Sequence, residues 1–265
     1  MRNFINSFMS NDSAFGRTMT KIGIIICANL MFVLFSMPVV TIGASYVALY
    51  HVMLKTLRGN TGLNPFKEFW IGFKSNFKQA TIAWVIFALL FAFGYYNAGI
   101  CRQATGFINY LQYGIYALGI VAVIIMIYLF PTMAAFANTI PNLIRNGLYF
   151  AFHKPWWLVV NLFFHVFPLY LTYSDPQMMP LYAFCWFFFG FGAITMLTSR
   201  LLIKDFSKYL PLVDDDGDFI LTEDGEKIMP GSPEEKAYFA GEGMNTGGRS
   251  MTEDEILEEM KKLDM

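Results

Sequence analysis

From Ile22 to Leu54 the chain runs for 33 residues without a formal charge, and no other feature limits its fold so strongly. As one helix the run would extend about 50 Å, well beyond the ~30 Å hydrocarbon core of a bilayer. Pro38 and Gly43 stand near its middle, where a helix would break and reverse. Arg2, Arg17 and Lys21 precede the run, and Lys55 and Arg58 follow it. Positive loops stay on the cytoplasmic side, so the run must cross an even number of times. Two short spans, roughly 21–37 and 41–57, satisfy both length and charge. The competing arrangement, one kinked span and five crossings in all, would put the N-terminal cations on the wrong face.

The same reasoning places single crossings at 80–98, 110–137, 156–173 and 180–199, between basic clusters at Lys55–Lys78, Arg145–Lys154 and Arg200–Lys208. Composition agrees: 55% of residues are hydrophobic and 15% charged, against about 25% charged in soluble domains. The expected fold is all-α, a polytopic bundle of about six transmembrane helices with both termini cytoplasmic.

A net charge of −1 hides a sharp division. Residues 1–204 hold 13 Lys/Arg against three acids, Asp12, Glu68 and Asp175, for a net +10. Residues 205–265 hold 6 Lys/Arg against 17 Asp/Glu, for a net −11. Two domains follow: a transmembrane domain, 1–204, and an acidic, largely flexible cytoplasmic tail, 205–265. The basic excess matches orientation signals and anionic lipid, and nucleic acid is not an expected partner. Cys27, Cys101 and Cys185 are too scattered for a disulfide framework or zinc site. Apolar sequence continues past Pro38, against a cleaved signal peptide.

An aromatic, basic segment precedes each pair of spans: "RNFINSFMSNDSAFGRTMTK", "NPFKEFWIGFKSNFK" and "IPNLIRNGLYFAFHK". In the second, Phe66, Phe69, Trp70, Phe73 and Phe77 recur at helical spacing. That pattern fits a helix lying in the headgroup layer. The chain can thus be grouped as three units of interfacial helix plus helical hairpin, with Lys67, Lys74, Lys78 and Lys154 expected at lipid headgroups. The alternative is that any basic loop feeding a span has this composition.

Ionisable groups inside a membrane usually mark function, yet the predicted spans hold no Asp or Glu. The intramembrane polar candidates are Tyr46, Tyr50 and His51 in the second span and Asn161 and His165 in the fifth. Tyr46 and Tyr50, like Asn161 and His165, are four apart and share a helix face. They could line a polar cavity or tie helices together. Trp156, Trp157, Trp186 and Phe187–Phe189 read as interface belt and lipid-facing bulk. There is no P-loop and no metal-ligand spacing, and "DDDGD" at Asp214–Asp218 misplaces its glycine for an EF-hand. Neither metal nor cofactor nor catalytic residue is expected. In the tail, Asp224-Gly225 signals a hairpin, "GEGMNTGGRS" a flexible linker, and Thr252 with Glu255 a capping box opening a short amphipathic helix. That helix would either fray or dock on a partner.

The order of motifs "MPVVTIGASYVALYHVMLK" (Met37–Lys55) and "FKSNFKQATI" (Phe73–Ile82) resembles the YesL family of bacterial integral membrane proteins, over roughly residues 5–210. The resemblance implies a multi-pass protein of the bacterial cytoplasmic membrane with no established activity. It also implies an accessory or assembly partner of a carbohydrate uptake system, with transporter subunits and membrane lipid as partners. A self-contained transporter or channel for a small polar solute is the alternative. The tail inherits nothing from the resemblance.

Overall fold

The computed structural model describes residues 14–59, 62–213, 220, 227–233 and 238, and their regular elements are helices. Six stretches among them are long and apolar enough to cross a membrane: Phe15–Phe35, Val39–Leu57, Pro65–Gln103, Phe107–Ala135, Pro155–Ser174 and Pro176–Phe206. The all-α bundle expected from the sequence is what forms.

The uncharged run is two helices, α1 (Ala14–Phe35) and α2 (Ile42–Leu57), joined through a short 3₁₀ turn at Val39–Thr41. Pro38 cannot continue α1, and its ring biases Met37 away from helical backbone. Thr41 closes the break: its hydroxyl proton is shared between the carbonyls of Phe35 (2.6 Å) and Pro38 (2.7 Å). Carbonyls left open at a helix end are thereby satisfied. Gly59, at φ 110°, takes the left-handed conformation that ends the following turn.

Helix α3 (Pro65–Gln103) starts on a strong cap. The Asn64 side chain accepts from the backbone N–H of Phe66 (3.0 Å) and Lys67 (3.3 Å), Pro65 occupies the first helical position, and Glu68 lies in the first turn. Its 39 residues make one rod, about 58 Å long at 1.5 Å per residue. This corrects the expected second unit, because the aromatic segment 64–78 is not a separate interfacial helix. No proline interrupts the backbone before the span, and charge alone had suggested a boundary. The aromatic stripe is also split. Phe69 and Phe73 are buried and ring-packed on Phe35, whereas Phe66, Trp70 and Phe77 are exposed, Trp70 while still touching the Phe35 ring.

Helix α2 lies along the first half of α3, in opposite direction. A Cβ on Gly43 would stand 2.5 Å from Trp84 Cβ and 2.6 Å from the Ala80 carbonyl oxygen. One on Gly72 would stand 2.8 Å from His51 Cβ. These glycines are what let the two backbones approach, as small residues do between membrane helices. Beyond this contact α3 pairs with α4 (Phe107–Ala135), where Arg102 donates to the Tyr116 hydroxyl at 2.7 Å.

A short amphipathic helix, α5 (Ile140–His153), then precedes α6 (Pro155–Ser174), so the third expected interfacial segment is a discrete helix. The first, 2–21, runs into α1 from residue 14, and its earlier part lies outside the described residues. The last span comprises a 3₁₀ turn at Pro176–Met178, α7 (Met179–Cys185), a π-helical turn (Trp186–Gly190) and α8 (Phe191–Phe206). The hydrophobic core surrounds α2, with Val47, Leu49, Tyr50, Met53, Phe69 and Leu129 fully buried within it.

The chain divides into two compact units between Asp205 and Phe206. In the second, Ile220 donates to the Leu212 carbonyl, and Ile228 donates to that of Ile220, at 3.1 and 3.0 Å. Asp224-Gly225 between them, the DDDGD run, the glycine-rich linker and the Thr252–Glu255 box all lie outside the described residues.

Candidate functional site

Four of the five polar residues singled out in the spans come together. Tyr46 and Tyr50 project from one face of α2, Asn161 and His165 from one face of α6, and the two faces meet. His165 Nε2 lies 3.0 Å from the Tyr46 hydroxyl and 3.4 Å from that of Tyr50. Its Nδ1 is 2.9 Å from the Asn161 backbone carbonyl. A carbonyl oxygen only accepts, so Nδ1 carries the proton. In the neutral ring Nε2 is then an acceptor, and the nearer Tyr46 hydroxyl donates to it.

Helix α8 completes the site. Thr198 donates to the Asn161 side-chain oxygen at 2.9 Å, and both residues are buried. Tyr50 is fully buried, and its ring meets that of Tyr46 edge-on at 5.0 Å. Tyr46 also packs edge-on against Phe130 of α4, at 5.6 Å. Three separate spans are thus joined through one hydrogen-bonded set inside an apolar shell. One group stays over. The Asn161 amide nitrogen, in a side chain 1% exposed, faces the Tyr128 hydroxyl without meeting hydrogen-bond geometry. Chemically the set can hold a proton between imidazole and phenol, or offer a hydroxyl-bearing molecule one donor and one acceptor.

His51 does not join this set, contrary to its grouping with Tyr46 and Tyr50. One residue along a helix rotates the side chain by about 100°, which turns it from Tyr50's face to the face against α3. There it lies 3.4 Å from Glu68, which Lys55 also approaches at 3.0 Å. Glu68 therefore stands between the His51 ring and the Lys55 ammonium where the end of α2 meets the start of α3. A carboxylate nearly removed from water needs such partners.

Lys154 also departs from its expected place at a lipid headgroup. Its ammonium donates to both oxygens of Asp205, at 2.7 and 2.9 Å, joining the start of α6 to the end of α8. Asp205, grouped by charge with the tail, works within the membrane unit. Lys67, Lys74 and Lys78 keep exposed side chains.

Asn29 was not singled out, yet it is fully buried and holds the π-helical turn. Its amide nitrogen donates to the carbonyls of Trp186 (3.0 Å) and Phe187 (2.7 Å), and its oxygen accepts from the Gly192 N–H (2.8 Å). A π turn displaces the regular i→i−4 ladder, and one amide from α1 compensates. The available signal was a lone amide in an otherwise apolar span. Trp186 is likewise more than bulk: its indole N–H donates to Thr172 at 2.9 Å. Trp156 and Trp157 are exposed, as an interface position requires.

No curated protein and no solved structure matches the chain. Residues 25–98 match the model of a family described as "Protein of unknown function, DUF624". The match takes in Tyr46, Tyr50, His51 and Glu68, and leaves Asn161, His165 and Thr198 outside. Over that stretch, from the middle of α1 into α3, the chain is similar to a family whose function is itself undescribed.

Proposed function

We propose that this chain is a YesL-type protein of the bacterial cytoplasmic membrane, with both termini cytoplasmic. It has no catalytic chemistry of its own and acts as an accessory or assembly partner of a carbohydrate uptake system. One observation carries the non-transport part of this reading. The intramembrane polar groups of α2, α6 and α8 bond chiefly to one another, which spends them on holding spans together. The match to residues 25–98 accords with the YesL resemblance, and the link to sugar uptake rests on that resemblance. Lys67, Lys74 and Lys78, exposed along α3, suit contact with anionic headgroups.

Gentle extraction of the C-terminally tagged chain from native membranes, followed by mass spectrometry, tests the proposal. Permease or ATPase subunits of a sugar transporter should accompany it in near-equal amounts. Recovery of the chain alone would overturn a stable-partner role. A self-contained transporter of a small polar solute draws on the Asn161 amide nitrogen left over in the cluster. For that reading, Tyr50→Phe and His165→Leu should abolish solute flux in reconstituted vesicles while expression holds.

A further inference from the structure

Beside the Asn29 contact, Ile22, Ile25 and Ile26 of α1 face Phe189 of the π turn and Ala193 of α8. They enclose a crevice of about 210 Å³ whose walls are wholly apolar. The crevice has a structural cause. Asn29 ties α1 to the π turn, and Gly192 packs so closely on Ile25 that a Cβ there would stand 3.0 Å from the isoleucine's backbone oxygen. One residue further along, Ala193 is too small to fill the space that the widened π turn opens. Ile22 and Phe189 are both exposed, so the crevice opens sideways onto the surface that crossing helices present to lipid.

Charge decides which end of the crevice meets the headgroups. With six crossings, the first and last spans run in opposite directions, so the start of α1 and the end of α8 lie at the same membrane face. Lys21, half-exposed, immediately precedes Ile22, and Arg200, exposed, follows Ala193 by two helical turns, about 10 Å. A crevice without a polar group offers a sugar or an ion nothing to bind. A hydrocarbon chain beneath an anionic group meets apolar walls and then cations.

We propose that this crevice seats one acyl chain of an anionic phospholipid, with Lys21 and Arg200 at its phosphate. The site depends on the chain crossing a membrane and is independent of any role in sugar uptake. It also differs from the exposed lysines of α3, which provide charge without a chain-sized recess.

Native mass spectrometry of the full chain in detergent tests this, with equal amounts of phosphatidylglycerol and phosphatidylcholine of matched acyl chains. One phosphatidylglycerol should be retained with a preference of about tenfold or more, as two cations near a phosphate would give. Lys21→Gln with Arg200→Gln should reduce the preference below about threefold while leaving total lipid retention in place. Ala193→Phe, which fills the crevice, should remove both lipids, and Ile22→Trp fills it from the opposite wall should the first variant not fold. Equal retention of the two lipids by the unaltered chain would overturn the proposal. So would undiminished retention in a folded, filled variant, or a preference untouched by the loss of both cations.

Discussion

Helices α2 and α6 are both apolar enough to cross a bilayer, yet their surroundings are opposite. Eleven of the sixteen residues of α2 are buried in protein, whereas Asn161 is the sole buried residue among the twenty of α6. The side chains account for the difference. Gly43 and Ala48 give α2 a narrow surface that α3 can meet backbone to backbone. Trp156, Phe163 and Phe167 give α6 a broad one, which remains exposed. Helices in lipid gain little from burying apolar surface against each other, so close packing and hydrogen bonds decide which are enclosed. In this protein α2 is held by packing, and α6 by its hydrogen bonds and the ion pair at its start.

The largest test of that contrast is Gly43→Leu. Any Cβ there collides with Trp84 and the Ala80 backbone, and overpacking typically costs about 1–3 kcal/mol, with a branched side chain at the upper end or beyond. Detergent-to-SDS unfolding should show the transition moved by that amount or abolished. An unchanged transition would mean that α2 and α3 do not pack as described. Asn161→Leu should come next, at about 1–3 kcal/mol, because it removes the oxygen to which Thr198 donates in a buried site. The same titration reads it, and Asn161→Leu combined with Thr198→Val should cost less than the sum of the two single losses if the lost hydrogen bond is the cause.

A smaller effect is expected for the link between the two helices. In a double-mutant cycle, Tyr46→Phe and His165→Leu should couple by roughly 0.6 kcal/mol and at most about 1.7, the range found for hydrogen bonds within membranes. Additive losses would show that the 3.0 Å contact contributes nothing specific. Smallest of all, Val159→Ala and Leu169→Ala on the exposed face of α6 should change stability by under about 0.5 kcal/mol. A larger loss at either position would place a protein surface, rather than lipid, against α6.

Much of this arrangement was legible before the structure. The break at Pro38 follows from a ring that cannot continue a helix, and the number of crossings from uncharged length and the placing of Lys and Arg. Tyr46 with Tyr50, and Asn161 with His165, were readable as shared faces because a helix repeats about every four residues. That those faces belong to one site was not readable, since 115 to 119 residues separate the partners. His51 was misgrouped because proximity in sequence said nothing about which face α3 would cover. Asn29 escaped notice because its partners are backbone carbonyls, exposed by a π turn that composition does not announce.

The sequence by itself therefore determined what belongs in lipid, since transfer of apolar length and exclusion of charge depend on local composition alone. It determined the break after α1 as well, through Pro38. The tertiary structure decided which apolar helix is enclosed, and which polar groups bond to each other and which stay unmatched. It also decided that Lys154 and Glu68 answer to protein charges. Those outcomes depend on close approach between residues far apart in the chain, and lipid, being as apolar as the helices, leaves that choice to packing and hydrogen bonds.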